Sequence, residues 1–332
     1  MAHGVGIGIA GVTKASCGDP EVAKAIFNGG AELLADSRLE NIRRMKASGV
    51  ESDFMLLRTP QLSRLGETVE TADISLNSEP EVIEGLSREA EKRGMIHRVV
   101  LMAEMGDLRE GIVREELLSV MKETESLPGV ELYGVGMNLA CFGGIVPTAE
   151  KVAEFEDFVE RMEKEMGRKL KMISGGNSAN IPHLMEQEES GRINNLRVGE
   201  GILLGLETVG RTPIPGTHQD AFTCKAEIIE LKEKPSVPSG EISQNAFGEV
   251  PEFEDIGTIR RGIIAMGRQD VIVEDLIPLD EGVEILGSSS DHLICHIRDD
   301  SYDVGDHLSF NVKYGALMSL FTSSYVDKVH IR

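Results

Sequence analysis

The sequence contains no tryptophan, few aromatic residues and no long apolar segment. Aromatic residues make up 4 % of the chain, and no apolar run reaches the roughly 20 residues that a membrane-spanning helix needs. We therefore expect no membrane partner. The four cysteines, Cys17, Cys141, Cys224 and Cys295, lie far apart without a C-x-x-C pair or a signal peptide. This pattern favours reduced thiols and predicts a cytoplasmic protein without disulfides.

Basic residues are also scarce, with 34 lysines and arginines against 56 acidic residues and a formal net charge of −22. The overall field of such a chain repels nucleic acid, so we expect no nucleic-acid partner. The apolar content of 41 % and the charged content of 27 % are those of an ordinary globular protein. The length of 332 residues allows one large domain and one smaller domain.

Short apolar runs alternate with amphipathic, helix-like segments over the first 200 residues. Eight such runs occur, at 6–13, 31–36, 53–58, 72–77, 96–105, 130–138, 170–177 and 196–205. This alternation predicts an α/β fold, a (β/α)8 TIM-type barrel. After residue 205 the sequence turns to short β-branched runs separated by turns, which predicts a smaller all-β domain. We place the barrel at 1–212 and the C-terminal β domain at 213–332.

Near the N-terminus, Gly6, Gly8 and Gly11 have the G-x-G-x-x-G spacing of a dinucleotide-binding loop. That loop must follow a strand and open a helix, whereas the first helix signal here comes later, at Asp19-Pro20. The stretch therefore favours a first barrel strand that ends at Lys14.

Polar residues concentrate where the predicted barrel strands end, the edge that carries the active site in such barrels. They are Lys14, Ser37, Arg38, Arg58, Asn77, Ser78, Arg109, Asn138, Asn177, Ser178, Arg197 and Gly199. We interpret Ser37, Asn77 and Ser78 as helix caps. The arginines, together with the glycine-rich turn after Arg197, indicate an anionic ligand. A lysine beside a phosphate cradle fits pyridoxal 5'-phosphate.

Several motifs together resemble the alanine/ornithine racemase family of pyridoxal-phosphate enzymes, fold type III. They are GVTKASCGDP, LADSRLENI, GDLREG, GVGMNLACFGG, GGNSANIP, LRVGEG and SSSDHLI, in this order along the whole chain. The resemblance implies a barrel followed by a β domain. It also implies a homodimer in which one subunit helps to complete the active site of the other, and no metal.

The resemblance assigns a role to individual residues. Lys14 would bind the cofactor as a Schiff base and act as one catalytic base. Arg109 would donate to the phenolic oxygen of the cofactor, and Arg197 would face its ring nitrogen. Because a guanidinium keeps its proton, the ring nitrogen would stay unprotonated, which favours reprotonation over transamination. The residues expected near the phosphate are Asn177, Ser178, Gly199, Glu200 and Tyr314.

The sequence departs from alanine racemases at three functional positions. Asn138 stands where a histidine commonly stacks on the cofactor ring. Met102 stands where many of them carry a modifiable lysine, so Arg109 needs another support. The Gly-Tyr pair that holds the second catalytic base reads Gly267-Arg268. Racemisation needs an acid/base on each face of Cα, and we expect His292, or else Asp291, to replace the tyrosine. Arg268 would then bind the substrate carboxylate.

The family usually carries a strand and a helix before the lysine strand, so we expect the true start of the protein to lie upstream of Met1. The leading hypothesis for function is racemisation of ornithine or lysine, with alanine as another possible substrate. Three acidic residues, Glu104, Asp107 and Glu110, slightly favour a substrate with a cationic side chain.

Two other functions stay open. One is a non-catalytic pyridoxal-phosphate carrier with a role in cofactor homeostasis, although such barrels lack a β domain. The other is a metal-assisted aldolase or dehydratase for D-hydroxy amino acids, which needs a His and Cys metal pair. The nearest pattern is His292, Cys295 and His296, but strand alternation puts His292 and Cys295 on opposite faces.

Overall fold

A computed structural model describes residue 4, residues 6–185 and residues 191–331. The chain divides into two compact units, residues 1–217 and residues 218–332. Residues 213–217 belong to the first unit because they fold back on it. The N–H of Ile214 donates to the carbonyl of Gly205 at 2.8 Å, and the Ile214 side chain is buried.

The first unit is a closed barrel of eight parallel strands, as the alternation of runs predicted. Its strands are β1 (Gly8–Val12), β2 (Leu33–Asp36), β3 (Phe54–Leu56), β4 (Ile74–Asn77), β5 (His97–Ala103), β6 (Val130–Met137), β7 (Met172–Ser174) and β8 (Asn195–Val198). Its helices are α1 (Pro20–Asn28), α2 (Leu39–Ala47), α3 (Leu65–Thr71), α4 (Pro80–Lys92), α5 (Arg114–Ser126), α6 (Ala149–Met166), α7 (Ile181–Met185) and α8 (Glu200–Leu203). Strand β1 closes the barrel by pairing with both β2 and β8.

Alternate residues of each strand face the barrel interior. A buried apolar cluster that includes Ala10, Met55, Val100, Met102 and Met172 fills that interior. The other strand face packs against the helices. Side chains alternate between the two faces of a strand. At the carboxyl end of each strand, every second side chain therefore points into the mouth of the barrel.

Strand β1 shows what the N-terminal glycines do. A Cβ at Gly11 would lie 2.3 Å from Cγ2 of Ile26 in α1, so this glycine allows close packing of helix on strand outside the barrel. Helix α1 begins as predicted, because Oδ1 of Asp19 accepts from the N–H groups of Glu21 and Val22, both at 3.0 Å. The helix therefore starts too late for these glycines to form a nucleotide loop.

The predicted helix caps at Ser37, Asn77 and Ser78 are wrong. The N-cap residues of α2 and α4 are Arg38 and Glu79, and neither side chain makes a capping bond. Asn77 is instead the last residue of β4 and is fully buried. Its amide donates to the carbonyl and the hydroxyl of Ser75 at 3.0 and 2.9 Å.

The last barrel run, 196–205, is not one strand. Strand β8 ends at Val198, and Gly199 is the N-cap of the short helix α8. The apolar residues after Gly199 therefore belong to a helix, in which Leu203 is buried. A run of apolar residues does not by itself distinguish these two outcomes.

The second unit is a six-stranded antiparallel sheet with the strand order β11-β14-β9-β10-β13-β12. Its elements are β9 (Thr223–Pro235), β10 (Thr258–Ile264), β11 (Leu276–Pro278), β12 (Val283–Ser288), β13 (Leu293–Ile297), β14 (His307–Val312) and α9 (Tyr314–Thr322). The sheet confirms the predicted β domain, to which the structure adds helix α9. Its core includes Ile228, Ile264, Leu293 and Phe310. Across the described parts of both units, no helix combines the length and apolarity needed to cross a membrane.

Candidate active site

Lys14 lies at the mouth of the barrel, directly after β1, as the first residue of a 3-10 turn that ends at Ser16. Solvent reaches its side chain, while protein atoms surround it on the barrel side. This partial burial is the main reason why the pKa of the Lys14 ammonium lies below its ordinary value, and the charges of Arg109 and Arg197 act in the same direction. A lowered pKa makes the uncharged amine, which is the nucleophile and the base, more available near neutral pH.

The turn that carries Lys14 is anchored by a buried polar pair. Oγ1 of Thr13 donates to Oδ2 of Asp36 at 2.7 Å, and the amide of Asn41 donates to Oδ1 of Asp36 at 2.9 Å. Burial raises the pKa of Asp36. This support was not expected from the sequence. Its signal is a polar residue at the end of each of two adjacent strands, Thr13 after β1 and Asp36 in β2, but only Lys14 was considered there.

Arg109 lies in the loop between β5 and α5, and its guanidinium binds two neighbours. Nε and Nη2 donate to the two carboxylate oxygens of Glu110, and Nη1 donates to Sγ of Cys141. The Glu110 contact raises the pKa of Arg109 further above its ordinary value. Met102 is fully buried and apolar, so the support of Arg109 in this chain comes from Glu110 and Cys141.

The acidic residues of this loop are already engaged. Oε1 of Glu104 accepts from the N–H groups of Gly106 and Leu108. The carboxylate of Asp107 is buried and accepts from the N–H groups of Cys141 and Phe142 at 3.2 and 3.0 Å. With Glu110 paired to Arg109, these carboxylates no longer favour a cationic substrate, contrary to the expectation from the sequence.

Arg197 points from β8 into the barrel and is buried. Nη1 donates to Oγ of Ser174, and Nη2 donates to the carbonyl of Met137 at 2.8 Å. In the described part of the chain, no carboxylate forms an ion pair with this guanidinium. Burial is the largest influence on the pKa of Arg197 and lowers it to about 10. The negative charge of Glu110 acts in the opposite direction and raises it. A buried guanidinium bound only by neutral groups can accept a further polar partner.

Space for such a partner depends on a glycine. A Cβ at Gly136 would lie 3.2 Å from Sδ of Met102 and from Cβ of Ser174, and 3.5 Å from Nη1 of Arg197. Glycine at this interior position of β6 therefore leaves the guanidinium uncrowded. The contact of Ser174 with Arg197 was not expected from the sequence, where Ser174 lies inside an apolar run.

Asn138 and Asn177 extend the polar network from Arg197 towards the glycine turn. Oδ1 of Asn138 accepts from Nη2 of Arg197 at 3.4 Å and from Nδ2 of Asn177 at 3.1 Å. Nδ2 of Asn138 is buried and has no hydrogen-bond partner among the described residues. Oγ of Ser178 accepts from the N–H of Gly201 at 3.1 Å. The structure thus brings Asn138, Asn177, Ser178 and the turn at Gly199 together with Arg197.

Glu200 and Tyr314 occupy the first positions of two helices. Glu200 is the first residue of α8. Its carboxylate is buried and pairs with Arg211, so only its backbone is available to a phosphate. Tyr314 is half-buried and begins α9 in the second unit. Their predicted roles near a phosphate stay predictions.

The second unit holds the other predicted site residues as one group. The N–H groups of Arg268 and Gln269 donate to the carbonyls of Ser289 and Ser290, both at 3.0 Å. A Cβ at Gly267 would lie 2.3 Å from the Ser290 carbonyl oxygen, so glycine permits this close approach of two loops. The turn before β13 and the turn after β10 are therefore fixed to each other.

The side chains of this group differ in how firmly they are held. Nε2 of Gln269 donates to the Asp291 carboxylate at 3.0 Å, whereas the exposed His292 has only a 3.4 Å contact between Nδ1 and the Ser289 hydroxyl. The guanidinium of Arg268 pairs with Glu249 at 3.3 Å and lies over the ring of Phe247 at 4.2 Å. Arg268 therefore has partners within its own unit.

Strand β13, which carries Cys295 and His296, gives no support to a metal site. Cys295 is fully buried in the core of the second unit, and burial raises the pKa of its thiol to about 12. The burial pattern of β13 puts His296 on the face opposite Cys295, and His292 precedes the strand. In the described ranges, no group of three histidine, cysteine or acidic side chains is arranged to hold a metal ion.

A closed barrel with a lysine after its first strand, followed in the chain by an antiparallel sheet, is the architecture of an alanine racemase. The alanine racemase of Streptomyces coelicolor A3(2) matches with a TM-score of 0.73 over 98 % of this chain and 92 % of that one, at 16 % identity. The family model of the alanine racemase N-terminal domain matches residues 2–206. The chain belongs to this family.

Two relatives resemble the chain along almost its whole length. The ornithine racemase of Acetoanaerobium sticklandii is 40 % identical over 320 residues, which cover 96 % of this chain and 90 % of that protein. The lysine racemase of Thermotoga maritima is 40 % identical over 334 residues, which cover 99 % and 93 %. These likenesses confirm the predicted class of enzyme, an amino-acid racemase and thus an isomerase.

Proposed function

We propose that this protein is a pyridoxal-phosphate-dependent racemase of ornithine or lysine. The observation that carries the proposal is the cluster at the mouth of the barrel, where a lysine of lowered pKa lies within the electrostatic influence of two arginines, Arg109 and Arg197. The names of the two relatives support a substrate with a cationic side chain.

The residues at the mouth fit pyridoxal phosphate. Asn138 offers a buried amide donor without a protein partner, and Arg197 offers a buried guanidinium without an ion pair in the described chain. Lys14 would hold the cofactor covalently, Arg109 would donate to its phenolic oxygen and Arg197 would face its ring nitrogen. Its phosphate would meet Asn177, Ser178, the backbone of Gly199 and Glu200, and Tyr314.

When bound, pyridoxal phosphate withdraws electrons from Cα of the amino acid and so acidifies the Cα proton. Lys14 would remove that proton from one enantiomer, and His292, or else Asp291, would deliver a proton to the opposite face of Cα, which inverts it. The two residues would exchange these roles for the other enantiomer, and Arg268 would bind the substrate carboxylate. Arg197 keeps its own proton, since its pKa of about 10 lies well above neutral pH, and it would hold the ring nitrogen as an acceptor.

Racemisation can be tested by chiral chromatography of L- and D-ornithine, L- and D-lysine and L-alanine with cofactor-loaded protein. We expect conversion of both enantiomers of ornithine or lysine, and slower conversion of alanine. Lys14→Ala should abolish conversion, while Lys122→Ala on the outer helix α5 should not change it. Failure of the loaded wild-type protein to racemise all three amino acids would refute the proposal.

The second base can be identified by exchange in deuterated water. Without that base, the enzyme should still exchange the Cα proton of the enantiomer that Lys14 serves, but should not convert it. We expect His292→Ala to show this one-sided exchange and Asp291→Ala to show a smaller loss. The reverse order would assign the role to Asp291.

The same assay separates the other functions. A carrier would bind pyridoxal phosphate without any Cα exchange. An aldolase or dehydratase would release an aldehyde or ammonia from D-hydroxy amino acids and lose activity in chelator. The homodimer and the cytoplasmic location stay predictions, and sedimentation of the loaded protein tests the first of them.

A further inference from the structure

The loop that carries Arg109 is closed at its base, which fixes the side chains at its tip. The N–H of Ile112 donates to the carbonyl of Met102 at 2.7 Å, and the N–H of Glu104 donates to the carbonyl of Ile112 at 3.0 Å. A Cβ at Gly111 would lie 2.6 Å from the backbone nitrogen of Glu104, so the two ends of the loop touch. Such a closed loop presents its side chains in a defined direction.

Within this loop, two neighbouring residues of opposite charge meet side chain to side chain. Leu108, just before them, has a left-handed backbone with φ 55°, so the chain here is neither helix nor strand. Both oxygens of the Glu110 carboxylate accept from the Arg109 guanidinium. A two-point contact of this kind fixes the plane of the guanidinium as well as its position.

Glu110 also acts on the second arginine. After burial, its charge is the first influence on the pKa of Arg197, which it raises, while Arg109 lowers it. Arg197 hydrogen-bonds only to neutral groups, and Arg109 has no other carboxylate partner among the described residues. The carboxylate of Glu110 therefore pairs directly with Arg109 and acts on Arg197 only through its charge.

We infer that Glu110 is a positioning residue of the racemase, which orients Arg109 for the cofactor. The inference rests on the proposed function, because Arg109 needs orientation only if it contacts the cofactor. In this role, Glu110 would act through Arg109 and would touch neither cofactor nor substrate. Without it, the guanidinium of Arg109 would sample several rotamers, and ordering it again on each binding event costs free energy.

The test uses Glu110→Gln, which keeps the size of the side chain and removes its charge. In cofactor-free protein titrated with pyridoxal phosphate, we expect the dissociation constant to rise at least fivefold and the visible absorbance band of the bound cofactor to shift. In the loaded enzyme, kcat for the racemised amino acid should fall at least tenfold, with KM changed less than threefold.

Two controls separate positioning from general stability. Glu125, at the other end of α5, forms an ion pair of 2.5 Å with Arg168. Glu125→Gln removes this carboxylate and should leave the absorbance band, kcat and KM unchanged. Glu110→Asp keeps the charge but breaks one of two contacts, so its kcat should lie between those of wild type and Glu110→Gln. If Glu110→Gln does not fold, Glu110→Asp still decides, because an unchanged kcat would overturn the inference.

A double-mutant cycle shows whether Glu110 acts through Arg109. If it does, Glu110→Gln should cost less than twofold in kcat on an Arg109→Lys background, and both single variants should shift the absorbance band in the same direction. Equal losses on both backgrounds would overturn the inference. A wild-type protein that binds the cofactor but does not racemise would refute the proposed function alone, since the absorbance band still tests Glu110.

Discussion

Nη2 of Arg197 lies 3.4 Å from Oδ1 of Asn138, so the buried guanidinium of the site has an amide rather than a carboxylate beside it. The same Asn138 oxygen accepts from Asn177 at 3.1 Å, and one asparagine thus links the arginine to the Asn-Ser pair of the next loop. Arg197 has only neutral hydrogen-bond partners, and burial lowers its pKa to about 10.

Asn138→Asp should impair catalysis, because the carboxylate would pair with Arg197 and remove the amide donor that has no protein partner. We expect kcat to fall by about tenfold or more, the usual consequence of losing one buried hydrogen bond to a charged or polar group. The matched change Asn194→Asp, just before the last barrel strand, should leave kcat unchanged. Steady-state kinetics with each enantiomer provide the measurement, and equal kcat values for both variants would contradict this role.

Ser178→Ala should weaken binding of the cofactor through its phosphate. The Ser178 oxygen already accepts from the N–H of Gly201, so its own hydrogen is available to a phosphate oxygen. We expect the dissociation constant of pyridoxal phosphate to rise by about tenfold, while that of pyridoxal, which has no phosphate, stays the same. Ser126→Ala at the end of α5 serves as the control, and an equal loss for both ligands would place Ser178 away from the phosphate.

Gly111→Ala should disrupt the loop of Arg109 more than an ordinary glycine substitution. Gly111 has φ 157°, and the added Cβ would meet the backbone of Glu104 at 2.6 Å. We expect a loss of about 3 kcal/mol in stability from strain and overlap, with weaker cofactor binding. Gly144→Ala shares the positive φ but has open space around it, and should cost about 1 kcal/mol. Chemical denaturation compares the two, and similar costs would show that the loop base can relax.

His97 should make the barrel less stable in acid. This buried histidine contacts the Ser75 hydroxyl through Nε2 at 2.7 Å, and burial lowers its pKa to about 4. Between pH 6.5 and 4 the unfolded chain binds a proton that the folded chain does not, so stability falls as the pH falls through this window. The full effect is about 3 kcal/mol. Fluorescence is weak in a chain without tryptophan, so circular dichroism in urea is the measurement.

His97→Gln removes the titrating group and keeps a donor for Ser75. Its urea midpoint should therefore change less than that of the wild type between pH 7.5 and pH 5. His307→Gln, an exposed position in β14, should keep the wild-type dependence on pH. If His97→Gln and the wild type lose stability in parallel, another group causes the loss in acid.

The sequence predicted the barrel well because its signal is local and repeated. Each strand is a short apolar run and each helix has apolar residues at spacings of three and four, so eight repeats leave little choice of fold. It predicted helix caps poorly, since the N-cap residues of α2 and α4 are Arg38 and Glu79, and Asn77 belongs to β4. It also treated 196–205 as one run, because burial makes a strand and a short helix equally apolar.

The sequence by itself determined the alternation of strands and helices, the position of Lys14 after the first strand, and the motifs that the family shares. These depend on residues that are close in the chain. Only the tertiary structure decided which polar side chains meet: Glu110 with Arg109, Asn138 with Arg197, and Asp36 with Thr13. A carboxylate at a strand end can face a substrate, a cation or a backbone amide. Which of these it contacts depends on how the loops fold, because the loops bring residues that are distant in the chain within hydrogen-bonding distance.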